Sequence, residues 1–151
     1  VCLDMASYNI VEEDYDFFVH LVDQMDIVFA NADEARVFTG KGPHEAADEL
    51  ARTCRIAVVK NGKKGAVIRG GGQAFDVPAL DVPHVVDTTA AGDFFAAGFL
   101  YGLSDGAPLL RCAELGSLLA GQVIQVAGTI LPEAVWDEVL ASSLLSDSDK
   151  A

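Results

Sequence analysis

Short apolar runs alternate with longer helix-like segments along most of this chain, and that alternation narrows the folds it can adopt. The runs are rich in β-branched and small residues, as in parallel strands covered on both faces. The predicted strands are residues 1–5, 27–30 and 56–59. The predicted helices between them are residues 10–25, 31–38 and 43–53. Strands alternating with helices predict an α/β fold with a largely parallel sheet.

The second half of the sequence combines a hairpin with further helices. Residues 65–69 and 73–77 flank three consecutive glycines, a pattern that predicts an antiparallel hairpin. Residues 82–86 are predicted to form a short buried strand. Further helices are predicted at residues 92–103, 108–126 and 132–144. We expect one ordered region, residues 1–144, and a polar, disordered tail at residues 145–151.

Composition excludes several classes of protein. A net charge of −13 disfavours a nucleic-acid backbone as the main partner. No apolar run reaches the length of about 18 residues needed to span a membrane, so no membrane role is expected. The three cysteines are far apart without C-x-x-C spacing, which favours buried free thiols in a cytoplasmic protein. The chain begins inside an apparent core strand, so we expect a fragment or a processed chain.

Residues 87–100 carry the strongest functional signal. Asp87 and Asp93 bracket a turn of small residues that leads from the predicted strand directly into an apolar helix. Backbone N–H groups and the positive end of the helix dipole at such a turn stabilise an anion. A carboxylate beside an anion site is a candidate base for phosphoryl transfer. The alternative is a structural helix cap by Asp93, although a cap alone needs neither the small residues nor the second aspartate.

Polar or turn-forming residues also follow two other predicted strands, and each group has a structural and a functional interpretation. Asn31 and Glu34 have the spacing of a capping box at a helix start. Asn61 and Gly62 follow the strand at residues 56–59 and predict a tight turn. Because ligands bind at the carboxyl ends of strands in parallel α/β sheets, we expect these positions and the 87–93 segment to converge on one site.

The segment Asp87-Thr88-Thr89-Ala90-Ala91-Gly92-Asp93, followed by Ala97-Gly98-Phe99-Leu100, closely resembles the C-terminal signature of the PfkB (ribokinase-like) family of sugar and nucleoside kinases. The resemblance extends over roughly residues 1–140, about half of a typical member. It implies an α/β, three-layer ribokinase-like fold with a mostly parallel sheet flanked by helices, of which this chain is the C-terminal, ATP-binding part. It also implies ATP-dependent phosphorylation of an alcohol group.

The resemblance assigns roles within the signature. Asp93 corresponds to the catalytic base, and the backbone of Ala91, Gly92 and Asp93 to the anion hole for the transferred phosphoryl group. Ala90 belongs to the same nucleotide-binding turn, where many members have glycine. Asp87 and Thr89 match positions that help to hold a monovalent cation, K⁺, together with the loop at residues 126–129.

The resemblance also assigns roles outside the signature. Asn31 and Glu34 match the pair that orders Mg²⁺ and its waters near the ATP phosphates, a role compatible with a capping box. Asn61, Gly62 and Gly65 match a turn near the ATP ribose and phosphates, although Lys60 and Asn61 depart from the residues usual there and a plain hairpin turn remains the alternative. Ser117 and Gly121 match the helix that walls the adenine pocket; close helix packing is the alternative for these small residues.

The resulting hypothesis is an ATP- and Mg²⁺-dependent kinase that acts on a small-molecule sugar or nucleoside, with a weak similarity to adenosine-kinase-like proteins. Most substrate contacts, and the β lid through which family members form homodimers, belong to the preceding half of such proteins. The alternative is a nucleotide-binding module without turnover. A flavodoxin-like or Rossmann domain is disfavoured because no Gly-x-Gly-x-x-Gly follows the first strand. The three histidines have no ligand spacing.

Overall fold

The structure is a computed structural model that describes residues 1–141, and it divides into two compact units. The first unit, Val1–Val77, contains a five-stranded sheet and four α-helices. Its strands are β1 (Cys2–Asp4), β2 (Ile27–Asn31), β3 (Ile56–Lys60), β4 (Ala66–Gly70) and β5 (Gln73–Val77). Its helices are α1 (Tyr8–Glu13), α2 (Tyr15–Val22), α3 (Ala32–Thr39) and α4 (Pro43–Leu50). The predicted α/β class is confirmed.

The sheet is mixed, with its strands in sequence order. β1, β2 and β3 are parallel, whereas β3–β4 and β4–β5 are antiparallel. The hairpin predicted around the glycines is confirmed: Gly71 and Gly72 have φ values of 58° and 76°, which glycine adopts without the strain a Cβ would cause. The parallel half therefore presents the carboxyl ends of three strands at one edge.

The helix predicted at residues 10–25 is wrong in one respect, because two helices form there. Asp14 has φ −119° and ψ 42°, outside the helical range, so it ends α1 and begins α2. Tyr15 at the new start donates from its hydroxyl to the carbonyl of Phe38 at 3.1 Å, and the two rings lie 5.5 Å apart. This tertiary contact gives α2 a direction that periodicity alone does not specify.

The second unit, from Pro78 onward, contains α5 (Ala91–Ser104), α6 (Leu109–Val123) and α7 (Glu133–Ala141). Glycines let α5 and α6 pack closely. A Cβ on Gly98 would lie 2.6 Å from the carbonyl oxygen of Leu115, and one on Gly116 would lie 2.7 Å from that of Phe95. Phe95 and Phe99 are buried beside these glycines. Gly98 and Gly116 thus serve close packing of this helix pair.

The strand predicted at residues 82–86 does not form. Pro83 in its middle has no N–H to donate to a neighbouring strand. The amides of Val86 and Asp87 both donate to the carbonyl of Ile124, at 2.7 and 3.3 Å, so this segment is tied to the end of α6 instead. Val85 and Val86 are more than half exposed. A loop, and not a strand, therefore leads into α5.

The sequence also predicted the burial of the cysteines, the lack of a membrane-spanning segment and a C-terminal helix. Cys54 and Cys112 are buried free thiols as expected, but Cys2 is exposed on β1, one of the two edge strands of the sheet. The described part of the chain has no helix that is both long and apolar enough to cross a membrane. The C-terminal helix is confirmed as far as Ala141. The predicted tail at residues 145–151 lies outside the described residues.

Candidate functional site

Asn31 and Glu34 form a complete capping box at the start of α3. The side-chain oxygen of Asn31 accepts from the amides of Asp33 and Glu34, both at 2.9 Å. In return, the Glu34 carboxylate accepts from the backbone amide of Asn31 at 2.7 Å and from its side-chain amide at 2.6 Å. The cap predicted from the spacing is confirmed, and it fixes the Glu34 carboxylate beside the end of β2.

Glu34 is a buried carboxylate in a charged neighbourhood. Only 3% of the residue is exposed, and this burial raises the pKa of its carboxyl group above the ordinary value. The hydrogen bond from the Asn31 backbone and the positive charge of Lys60 oppose that shift in pKa, whereas Asp4 adds to it. The ionised form of Glu34 is therefore supported by direct donors and by a nearby cation.

The ends of β1, β2 and β3 bring polar residues to one edge of the sheet. Asp4 ends β1, and Asn31 and Lys60 are register partners at the ends of β2 and β3. Lys60 Nζ lies 2.6 Å from Asp4 Oδ2, and its side chain is 14% exposed. Asp4 Oδ1 also accepts from the amide of Ala6 at 3.2 Å, so Asp4 has both a turn role and an ion-pair role. The pairing of Lys60 with Asp4 was missed from the sequence, where only the placement of Asp4 at a strand end hinted at it.

The turn predicted after β3 is confirmed as a single 3₁₀ turn, Gly62–Lys64. Asn61 donates from its amide to the carbonyl of Gly65 at 2.7 Å and closes the turn. Gly62 and Gly65 have φ values of 55° and 89°, and a Cβ on Gly62 would meet nothing within 4 Å. The turn is thus open on its outer side, at the same sheet edge as Asn31.

In the second unit, the turn before α5 has an unusual backbone. Ala90 precedes the helix with φ 62° and ψ 5°, a left-handed conformation that costs energy for any residue with a Cβ. The amide of Ala91 donates to Thr88 O at 3.2 Å, and that of Phe94 donates to Ala90 O at 2.9 Å. The amides of Gly92 and Asp93 between them have no carbonyl or side-chain acceptor among the described residues. Two donors therefore remain available for an anion.

Asp93 lies in the first turn of α5, and its side chain is exposed. Within residues 1–141 its carboxylate takes part in no ion pair or hydrogen bond, including any bond to the helix start. The capping interpretation of Asp93 therefore has no hydrogen bond to support it. A carboxylate that is exposed and unengaged next to two available amides has the arrangement that a base beside an anion site requires.

Asp87 ties the motif to the loop that follows α6. Its Oδ1 accepts from the amide of Thr89 at 2.9 Å and its Oδ2 from the amide of Gly128 at 3.4 Å. Hydrogen bonds from the Thr89 side chain, then from its amide, lower the pKa of the Asp87 carboxyl group below the ordinary value. The two segments predicted to form a cation site, residues 87–89 and 126–129, are thus held together by this carboxylate.

Ser117 and Gly121 on α6 contact the segment that begins the second unit. The Ser117 hydroxyl donates to the carbonyl of Pro78 at 2.8 Å, and the residue is 8% exposed. A Cβ on Gly121 would lie 2.6 Å from Leu80. Both residues therefore position residues 78–80 along α6, and their predicted proximity to adenine remains a prediction.

The donor set at Glu34 fits a hydrated metal ion better than a metal held by protein ligands alone. Within the described chain, no group of three or more His, Cys, Asp or Glu side chains could hold a metal. Both Glu34 oxygens already accept a hydrogen bond, yet each carboxylate oxygen has a second lone pair. Mg²⁺ keeps several of its waters and takes few carboxylates, so contact through water suits this pair.

Comparison with known proteins identifies the class of protein. The profile described as pfkB family carbohydrate kinase matches residues 8–136. The chain belongs to this family, and the resemblance found in its signature is confirmed.

Individual relatives carry different kinase names. The chain is 36% identical over 128 residues to 2-dehydro-3-deoxygluconokinase of Escherichia coli K12, which covers 80% of this chain and 41% of that protein. It is 34% identical over 117 residues to cytidine kinase of Thermococcus kodakarensis, covering 75% of this chain and 42% of the relative.

Solved structures show the same ribokinase-like fold. A probable sugar kinase from Rhizobium etli superimposes with a TM-score of 0.87 at 36% identity, covering 95% of this chain and 44% of that structure. Adenosine kinase from Sinorhizobium meliloti gives a TM-score of 0.85 at 34% identity, covering 93% and 44%. The chain thus spans less than half the length of the proteins it matches.

Proposed function

We propose that the complete protein is an ATP-dependent kinase that phosphorylates a hydroxyl group of a sugar or nucleoside. The observation that carries this proposal is the turn at Ala90. There the first-turn amides of Gly92 and Asp93, which no side chain caps, have no acceptor among residues 1–141 and lie beside the exposed Asp93 carboxylate. Membership of the kinase family supports the same reaction.

In the proposed mechanism, Asp93 is the general base. Its carboxylate accepts the proton of the substrate hydroxyl as that oxygen bonds to the γ-phosphorus of ATP and the bond from that phosphorus to the bridging oxygen of ADP breaks. The amides of Gly92 and Asp93 would face the oxygens of the transferred group, where the helix dipole of α5 also favours negative charge. The Ala91 amide donates to Thr88 O and closes the turn beside them. Positioning and charge stabilisation then supply most of the rate enhancement.

Metal ions assist this proposed reaction in two places. Glu34 would hold Mg²⁺ through its waters, and Asn31, whose side-chain oxygen already accepts two amides, would orient that carboxylate; the bound ion would neutralise charge on the phosphates. Asp87 and Thr89 would hold K⁺ with the loop at residues 126–129. Asp87 already joins these two segments, and its lowered pKa keeps it anionic near neutral pH.

The nucleotide would lie against backbone in two regions. In the first unit, the open turn formed by Asn61, Gly62 and Gly65 is proposed to contact the ribose and phosphates, because no Cβ prevents close approach there. In the second unit, Ser117 and Gly121 are proposed to act near the adenine through the segment they position, since the Ser117 hydroxyl is already bonded to Pro78.

The substrate class stays at sugar or nucleoside. The relatives named above include an acidic-sugar kinase and nucleoside kinases, and this chain covers less than half of each. The adenosine-kinase-like similarity makes adenosine the first acceptor to test. A homodimer and a cytoplasmic location are part of the same proposal for the complete protein, and sedimentation of that protein would test the former.

The second candidate function is nucleotide binding without turnover by this chain alone. Calorimetry with ATP, run beside a phosphorylation assay with adenosine, ribose and 2-dehydro-3-deoxygluconate, separates the two. We expect the complete protein to bind ATP and to phosphorylate one acceptor. Binding by the 151-residue chain without turnover supports the module for this chain. Absence of ATP binding by the complete protein would refute the kinase proposal.

A further inference from the structure

Positive charge is concentrated in the turn after β3. Lys60, Lys63 and Lys64 are three of only ten Lys and Arg residues in a chain with a net charge of −13. Lys63 and Lys64 lie within the 3₁₀ turn, and both are exposed. An acidic protein repels a triphosphate, so a local cluster of cations at a predicted nucleotide contact would offset that repulsion.

Most cations in residues 1–141 are engaged by carboxylates. The paired side chains are Arg36, Lys41, Arg55, Lys60, Arg69 and Arg111. Within the same residues, Lys63, Lys64 and Arg52 form no ion pair. Lys63 and Lys64 are therefore two adjacent ammonium groups whose charge is not neutralised by a neighbouring acid.

Lys60 is committed elsewhere and is not part of this pair. Its ammonium group is held by Asp4 at 2.6 Å and is largely buried. It lies in register with Asn31, so the turn that carries Lys63 and Lys64 follows directly from the edge at which Asn31 and Glu34 lie. The carboxylates of Asp4 and Glu34 add negative charge to this edge, and the Lys60 ammonium group, which pairs with Asp4 and acts on Glu34, offsets part of it.

We propose that Lys63 and Lys64 attract the triphosphate of ATP to this edge of the sheet and thereby set the affinity for ATP, an inference that rests on the proposed kinase function. Lysine suits this role because its ammonium group is a mobile point charge on a flexible stem and needs no fixed bidentate geometry. Exposed charges act over roughly 8–10 Å at ordinary ionic strength, so the attraction weakens when salt is added. The pair acts on nucleotide capture and not on the chemical step.

The test is the double substitution Lys63→Gln and Lys64→Gln in the complete protein. We expect the KM for ATP to rise about fivefold at low ionic strength, as the loss of two exposed charge interactions implies. The kcat and the KM for the acceptor stay unchanged. The increase in KM for ATP shrinks at about 0.5 M salt, where screening removes most of the attraction. A calorimetric Kd for ATP should follow the KM.

Arg52→Gln is the matched control. Arg52 is an exposed cation of the same unit without an ion pair in the described chain, but it precedes β3, whereas the lysines follow it. The four residue steps of β3 place it about 13 Å or more from the turn. This variant removes a positive charge without changing the turn, so its KM for ATP stays near the wild-type value.

The outcomes separate this inference from the function on which it rests. An unchanged KM for ATP in the double variant, a rise in the KM for the acceptor instead, or an equal rise in the Arg52 control would overturn the role of the lysines. Failure of the wild-type protein to bind ATP would contradict the kinase function as well. Should the double variant fold poorly, Lys63→Glu alone tests the same point, because charge reversal there must raise the KM for ATP more than Lys63→Gln does.

Discussion

The helices α3 and α5 differ in whether the backbone amides of their first turn have hydrogen-bond acceptors within the protein. At α3, Asn31 and Glu34 exchange four hydrogen bonds with each other and with the first turn, and the Glu34 carboxylate is buried. At α5, no side chain caps the helix, Ala90 is in the left-handed region, and the Asp93 carboxylate is exposed. One helix start is satisfied internally, and the other is left with open donors and an open acceptor.

This difference indicates that the start of α3 stabilises the structure and that the start of α5 receives a ligand. Groups that satisfy one another stabilise the fold, whereas amides at a solvent-accessible helix start bond to water and can exchange that water for a ligand. Backbone strain at Ala90 points the same way, since strain persists where surrounding structure enforces it and is concentrated at functional sites. The box at α3 should therefore dominate stability, and the turn at α5 should dominate turnover.

The largest stability effect is expected from Asn31→Ala. The variant loses the acceptor for two amides and leaves the buried Glu34 carboxylate with one donor fewer. We expect the free energy of unfolding to fall by about 3 kcal/mol, a lost cap plus a lost hydrogen bond to a charged group. Hydrogen exchange of the α3 amides in the complete protein measures it.

Asp33→Ala is the control for that prediction. Asp33 is in the same helical turn, but its carboxylate is exposed and, among residues 1–141, pairs with exposed Arg36 alone. Its replacement should change the free energy of unfolding by less than about 1 kcal/mol. Equal losses for Asn31→Ala and Asp33→Ala would mean that the box is not the source of stability at this edge.

A smaller and opposite effect is expected from Ala90→Gly. Glycine adopts a φ of 62° without steric cost, so this change should stabilise the folded protein by about 1 kcal/mol. Ala90→Val should destabilise it, because a β-branched side chain tolerates the left-handed region worse than alanine does. Thermal unfolding of the two variants checks the pair. If Ala90→Gly instead lowered the stability, as glycine does within an ordinary helix, the claim that this turn is strained would be contradicted.

The smallest expected effect is on the pH dependence of stability, to which Asp87 and Glu34 contribute in opposite directions. Hydrogen bonds from Thr89 lower the pKa of Asp87 below 3.8, and burial raises that of Glu34 above 4.5. The stability contributed by ionised Asp87 is present above pH 3.8 and is lost as the pH falls through its folded pKa. The cost of ionising buried Glu34 grows as the pH rises above 4.5 and is relieved on acidification. Carboxyl ¹³C NMR titration should find the two shifts in opposite directions; shifts of the same sign would contradict the contrast.

Local patterns in the sequence were sufficient to predict most features of the start of α3. The spacing of Asn31 and Glu34 predicts the capping box, and the predicted helix at residues 31–38 agrees closely with α3, Ala32–Thr39. These features involve residues a few positions apart, so chain geometry alone brings them together. The strands β2 and β3 are predicted equally well because their buried residues are nearly continuous in sequence.

Features that depend on distant partners could not be predicted in this way. The pairing of Lys60 with Asp4 joins residues 56 positions apart, and the attachment of Val86 to Ile124 replaces an expected strand with a loop. An apolar run such as residues 82–86 indicates burial somewhere but does not identify the neighbour that accepts its amides. The open amides at the start of α5 were expected from the strand-turn-helix pattern, but the left-handed φ of Ala90 was not, because sequence does not predict that value for alanine.

The most direct test of the account is Asp93→Asn in the complete protein, measured as both the Kd for ATP and the kcat with the preferred acceptor. The two side chains are nearly isosteric, but the amide cannot accept the proton of the substrate hydroxyl. We expect the Kd for ATP to stay within about twofold while kcat falls by about 10²–10⁴, the contribution of a general base. A kcat close to that of the wild type would contradict the assignment of Asp93 as the base and, with it, the proposed mechanism.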